Sequence, residues 1–287
     1  MINRIIMDKL KLEPTATCVI KWATKLYSDD MVLKFINQLD LSSGENLFTK
    51  LDSICMWYEE VILDRKYFIK QYIEKELATT ENEYQIVFLA AGKSPLAIEI
   101  LIKNYSKIHF IFEIDISGMD EKKKLYDKIC PIFSKKLKCI TADITSTNIV
   151  DMLDKLEIGY QHNLRTIILL EGISYYISKR ELKNIIANFQ SEKKKNIVII
   201  EYLVPCEYVD KNRRYIPKEI FKTVQKHAGL NEINCYTEDE LNRYFKEESG
   251  YLTESYSMVD MEFARIGTNV YFKKPNDGWI EFVIGKI

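Results

Sequence analysis

Five short apolar runs, separated by amphipathic stretches of helical length, restrict the fold of this chain more than any other feature. They occupy residues 86–90, 108–114, 138–142, 166–170 and 196–200. Runs this continuous leave no face for water, so each fits a strand covered on both sides, as in a parallel sheet with helices on either face. The stretches 95–104, 120–130, 146–156 and 178–190 between them repeat apolar residues at helical spacing and serve as crossover helices. Residues 263–271 and 279–287 alternate around Lys273-Lys274-Pro275-Asn276-Asp277-Gly278, which predicts an antiparallel hairpin closing the sheet.

Upstream, over about 15–78, apolar positions recur every three or four residues: Leu47, Leu51, Ile54, Tyr58, Val61, Ile62, then Phe68, Ile69, Ile73 and Leu77. Asp30, Glu59, Glu60, Asp64, Lys70 and Glu74 fall on the face expected to meet water. The organisation expected is a helical cap over 1–80 and an α/β core over 81–287. A substrate-lid insertion is expected at about 203–261, with Pro217 opening one helix and Thr237 to Glu240 capping another.

Charge narrows the function classes. Lys plus Arg number 41 against 42 Asp plus Glu, so no bulk positive field exists to hold a nucleic acid backbone. No stretch approaches the roughly 20 apolar residues that cross a bilayer. The opening segment is interrupted by Arg4, Asp8, Lys9, Lys11 and Glu13, which leaves no signal-peptide core. The expectation is a cytoplasmic protein acting on a small molecule, without a nucleic acid or membrane partner. Six cysteines without a C-x-x-C pair suit reduced thiols better than a zinc site, and no metal is expected.

A ligand crevice in such a sheet lies beyond the carboxyl ends of the strands. After the first run comes Ala90-Ala91-Gly92-Lys93-Ser94-Pro95, a tight turn leading into a helix whose free N–H groups face the crevice. With one glycine where the dinucleotide fingerprint has three, a nicotinamide cofactor is disfavoured. The second run ends in Glu113-Ile114-Asp115, where one acid suffices to accept from a ribose diol. The third ends in Ala142-Asp143-Ile144 and the fourth in Glu171-Gly172-Ile173-Ser174-Tyr175-Tyr176. Asp143 alone also reads as a helix cap.

Together these segments resemble the S-adenosylmethionine-dependent methyltransferases of the leucine carboxyl methyltransferase type. The residues that carry the likeness are 86–92, Phe112-Glu113-Ile114-Asp115 followed by Lys122 to Lys124, Ala142-Asp143-Ile144, and Leu170-Glu171-Gly172 through Ile177. The resemblance implies a Rossmann-like α/β fold, a mostly parallel seven-stranded sheet ending in an antiparallel hairpin, with the N-terminal helical cap added. It implies that Gly92 lies against the methionine portion of S-adenosylmethionine, Asp115 binds the ribose, Asp143 with Ile144 holds the adenine, and Glu171 faces the aminoacyl end, with Ala90, Ile116 and Gly172 also among the cofactor-binding residues. Asp64-Arg65-Lys66-Tyr67-Phe68-Ile69 is similar to the family's arginine helix, so Arg65 would pair with the methionine carboxylate, with Lys21 as a second candidate. The chain departs from the family at Ala90, Ser94, Leu96 and Lys70; the alanine is expected to cost little if the turn stays in an ordinary backbone region.

Methyl transfer needs alignment and exclusion of water, and a carboxylate acceptor needs no base. The candidates for contact with the reacting groups are Tyr175, Tyr176, Glu201 and His227, and those for the acceptor pocket are Tyr175, Tyr202, Arg213 and Arg214. The activity expected is O-methylation of a small molecule, in particular of a carboxylate to a methyl ester. The alternatives are a non-catalytic cofactor-binding regulatory protein and a protein C-terminal carboxyl methyltransferase.

Overall fold

The computed structural model describes residues 9–229 and 232–287. Residues 1–8, which hold Arg4, Asp8 and the start of the expected cap, lie outside the described residues, as do 230–231 of the expected lid.

Seven strands form one sheet: β1 Tyr84–Leu89, β2 Ile108–Asp115, β3 Leu137–Thr141, β4 Arg165–Leu170, β5 Ile197–Leu203, β6 Tyr251–Tyr256 and β7 Ile280–Lys286. Their order across the sheet is β3-β2-β1-β4-β5-β7-β6. The first five pair in parallel, and β7 runs antiparallel between β5 and β6. Every residue of β1 is buried. Its alternate side chains enter two different cores: Ile86 and Phe88 pack on one face, Val87 and Leu89 on the other. This double burial is why the runs carry no polar alternation.

The cap consists of α1 Pro14–Ala23, α2 Asp30–Ile36, α3 Glu45–Ile54 and α4 Tyr58–Ala78, and it shares its core with one face of the sheet. The crossovers are α5 Leu96–Asn104, α6 Met119–Ile129 with the short α7 Pro131–Ser134, α8 Ile149–Lys155 and α9 Lys179–Asn188. A capping box between Ser178 and Glu181 starts α9. Between β5 and β6 lie α10 Tyr215–Ala228 and α11 Glu238–Glu247, and α12 Met258–Ile266 joins β6 to β7. No helix among the described residues is long and apolar enough to cross a membrane.

Two expectations are corrected. The first arm of the terminal hairpin is β6, not 263–271. A capping box between Ser257 and Asp260 starts α12, which takes that segment as far as Ile266, and Pro275–Asp277 forms a single helical turn. The segment between β5 and β6 is therefore shorter than the expected lid. Asp64, placed on the wet face by spacing, is fully buried, because α4 is enclosed all round from Val61 to Lys66.

Candidate functional site

The strand order reverses between β1 and β4, where an open α/β sheet forms its ligand crevice. A cavity of about 790 Å3 opens there. The turn after β1 and the ends of β2 and β4 form one side of it, and α4 with the segment 9–20 supplies the other.

The turn is backbone-strained. Ala90 has φ 53° and Gly92 φ 50°, the left-handed region that costs an L-residue with a Cβ roughly 1–2 kcal/mol. The expectation of an ordinary backbone region at Ala90 is thereby overturned. At Gly92 nothing lies within 4 Å of the position a Cβ would take, so the space beside the turn is free for a ligand. Both backbone groups of Gly92 are held: its N–H donates to Asp115 Oδ2 at 2.8 Å, and its carbonyl accepts from Lys122 Nζ at 2.9 Å. Lys122 is itself buried and pairs with Glu113 at 2.7 Å. Of the two acids ending β2, Glu113 thus supports the turn from behind, and Asp115 lines the cavity.

At the buried end, α4 presents two consecutive cations. Arg65 Nε and Nη2 donate to Glu201 Oε2 at 3.0 and 2.8 Å, and the Tyr175 hydroxyl donates to Glu201 Oε1 at 3.3 Å. Lys66 Nζ lies 2.8 Å from Glu171 Oε1 and donates to Ser94 Oγ at 3.2 Å. Arg65 Nη2 is also 3.9 Å from Glu171. Two cations and two carboxylates balance, as buried charges must. Burial pushes the Glu201 carboxyl up while Arg65 opposes the shift. Burial, reinforced by Glu201, raises the Tyr175 phenol well above its ordinary range, and burial raises Tyr176 as well. Neither phenol is an available base near neutral pH.

The cavity gathers Arg65, Ala90, Gly92, Asp115, Glu171, Gly172, Tyr175 and Tyr176 from the sequence candidates. The others lie elsewhere, each for a local reason. Lys21 falls off the face of α1 that carries Thr15, Ala16, Val19 and Ile20; it sits over the Phe48 ring and pairs with Glu45 at 3.8 Å. Ile116 is 70% exposed. The Asp143 carboxylate accepts from the Thr145 backbone N–H and hydroxyl, which hold it below the usual carboxylate range, and Ile144 packs in the second core. Glu201 stands behind Arg65. Tyr202, one residue along β5, therefore points to the opposite face, where its hydroxyl bonds Glu281. Arg213 covers the Trp57 ring, and Arg214 donates to the Val209 and Glu207 carbonyls. His227 Nδ1 pairs with the Thr223 carbonyl of its own helix.

Several contributors escaped the sequence reading, among them Lys66, Lys93, the wall formed by residues 9–20, and Glu121, Lys124 and Leu125 of α6. Desolvation and nearby Lys122 push the Lys93 ammonium down. No spacing rule marks Lys66; its place beside Arg65 in the segment Asp64 to Ile69 was the one available signal.

The family model for leucine carboxyl methyltransferase matches residues 16–190. No curated protein matches the chain in sequence. In structure, the chain is similar to a protein assigned as a methyltransferase from Thermobifida fusca YX, at 12% identity over 89% of this chain and 92% of that one, with a TM-score of 0.61. It is similar also to a DUF574 family protein from Streptomyces avermitilis MA-4680, at 10% identity over 95% and 96% of the two chains, again with a TM-score of 0.61. At these identities the structural likeness shows the fold, and the family model, matching more than half of the chain, shows the kinship. The chain belongs to the leucine carboxyl methyltransferase family of S-adenosylmethionine-dependent enzymes.

Proposed function

We propose that this methyltransferase acts on a carboxylate oxygen of a small-molecule acceptor and forms a methyl ester. The observation that carries this reading is the state of the basic groups at the buried end of the cavity. Glu171 and Glu201 are neutralised by Lys66 and Arg65, the tyrosines are held protonated, and all three histidines lie elsewhere: His109 beside Gln161, His162 beside Asp154, His227 on α10. An alcohol or ammonium acceptor would gain from a general base. A carboxylate is nucleophilic already.

The residues present fit the cofactor. Asp115 keeps lone pairs for a ribose diol beyond the bonds it accepts from the Gly92 and Ser117 backbone N–H groups. Lys66, Arg65 and Glu171 match the two charges of an amino acid end, with the cations toward its carboxylate and Glu171 toward its ammonium. When bound, S-adenosylmethionine supplies an electrophilic methyl group on a sulfonium. An acceptor oxygen that is already anionic would take that methyl without giving up a proton, so these residues need hold no base. The chain's contribution is to hold both partners in line and exclude water, through the neutral ion-pair cluster below and the cap above.

Methyl-labelled cofactor incubated with a carboxylic acid panel tests the proposal. A methyl ester releases its label as volatile methanol on mild alkaline treatment. Label that stays non-volatile, as in an ether or a methylamine, refutes the carboxylate assignment.

A further inference from the structure

One stretch of the cavity lining carries none of the strand-end acids or α4 cations matched to the cofactor. That stretch is the segment 9–20. Residues 10–11 are tied in parallel pairing to 39–40, so that Leu10 lies opposite Leu39 and Lys11 opposite Asp40. Leu10, Leu12, Val19 and Ile20 line the cavity from this segment, and Leu125 of α6 lines it as well. Leu12, Ile20 and Leu125 are buried while Leu10 and Val19 are half-buried, so the trough is apolar and graded from closed to open. Four lysines surround it: Lys9, Lys11 and Lys124 are exposed, and Lys93 is half-buried with its ammonium donating to the Ser117 carbonyl at 3.2 Å. Two acids share the rim, Glu13 and Glu121. Asp40, beside Lys11, is engaged by the Ser42 backbone N–H at 3.0 Å and does not line the cavity. Against these four lysines the same lining carries Glu13, Glu121 and Asp115, the last close enough to Lys93 to oppose the lowering of its ammonium, so the positive excess rests on the exposed Lys9, Lys11 and Lys124.

We propose that the wall of residues 9–20 with Leu125 is the acceptor subsite, and that it takes a small acid with an apolar body and a second anionic group, the latter held at the lysine rim and left unmethylated. This rests on the carboxylate reading above. The inner carboxylate meets the methyl group near Tyr175 and Tyr176, the apolar body lies along Leu10, Leu12, Val19 and Ile20, and the outer anion faces Lys11 and Lys124. An apolar trough favours the body by removing its surface from water. Exposed lysines contribute modestly to affinity but steer and orient an anion, and this contribution is screened by salt.

The test compares α,ω-dicarboxylic acids with monocarboxylic acids of the same chain length, over a graded series of lengths, in the labelled-methyl assay. The expected result is a preference for the dicarboxylates of about tenfold in kcat/KM at low salt, shrinking as ionic strength rises. In Lys11→Glu/Lys124→Glu the kcat/KM for dicarboxylates falls about tenfold, to the level of the monocarboxylates; cofactor-induced thermal stabilisation, measured in parallel, reports that the variant is folded. Val19→Trp fills the trough and raises KM for both series without moving cofactor affinity. Equal rates for the two series, or a charge-reversed variant that keeps the preference, overturns the proposal and leaves ester formation standing. If neither series is methylated, the carboxylate reading fails, and calorimetry with S-adenosylhomocysteine bound decides the subsite: tighter binding of dicarboxylate than monocarboxylate upholds it, and equal or absent binding overturns it.

Discussion

Replacing Lys122 by methionine separates two roles that one ammonium performs. Lys122 is fully buried beside the equally buried Glu113, and its Nζ also bonds the Gly92 carbonyl. Methionine matches its length and removes the charge, which leaves the Glu113 carboxylate uncompensated among the Cys139 thiol at 3.8 Å and the buried Tyr126 hydroxyl. Breaking a buried pair from one side costs about 3–5 kcal/mol, a large share of the roughly 5–15 kcal/mol that holds a typical domain folded. For a chain of this size that is a fall of about 5–8 °C in Tm. The double variant Glu113→Gln/Lys122→Met has no unpaired charge and should recover to within about 1–2 kcal/mol of the parent in urea unfolding. The Gly92 carbonyl, however, still lacks its donor. Cofactor affinity in the double variant should therefore stay weakened by about tenfold, the equivalent of one charge-assisted hydrogen bond at about 1.4 kcal/mol. A single variant that loses less than about 1 kcal/mol, or a double variant that regains cofactor affinity along with stability, would show that the clamp on the turn is not what positions it.

Further outcomes follow from the same geometry. Ala90→Gly relieves a left-handed alanine worth about 1–2 kcal/mol against an entropy cost of about 0.5–1 kcal/mol, so the urea midpoint should rise by the equivalent of about 0.5–1 kcal/mol; a lower midpoint contradicts the φ angle at that residue. Lys66→Met removes a cation proposed for the cofactor carboxylate and should raise the Kd for S-adenosylmethionine about tenfold by calorimetry, whereas an unchanged Kd assigns that carboxylate to other groups. Burial pushes the Glu99 carboxyl up to about 7. Between its unfolded value of about 4 and that folded value the native chain binds the extra proton, so stability falls as pH rises through this window and levels off above it. Urea midpoints measured from about pH 5 to about pH 8 should fall less in Glu99→Gln than in the parent, and equal slopes would remove Glu99 from the account.

The core strands were legible because double burial writes itself as unbroken apolar runs, and β1, β2 and β4 begin and end within two residues of those runs. The sixth strand was not. Tyr251–Tyr256 is an edge with mostly exposed side chains, and its sequence YLTESY has no apolar face to announce it. The site shows the same division. Asp115 and Glu171 sit at strand ends, which topology locates, and both line the cavity. Tyr202 and Glu201 differ only in strand parity, and parity cannot be assigned when both faces are buried. Asp64 looked like a surface charge because its partner Arg265 is 201 residues away, on a helix that sequence alternation disguised as a strand.

Asp64, Arg65 and Lys66 are three successive charges on α4, and each is committed to a different element: Arg265 on α12, Glu201 on β5, Glu171 after β4. Successive helix positions are turned by about 100°, so the three pairs fix the rotation of α4 like three splines on a shaft. Inserting or deleting one residue between Tyr58 and Asp64 would turn the downstream helix by that angle and disengage all three at once. Length variation among relatives should consequently be confined to the loops flanking α4. A chimaera that grafts another cap onto this core will dock only if the donor helix meets Arg265, Glu201 and Glu171 in the same register.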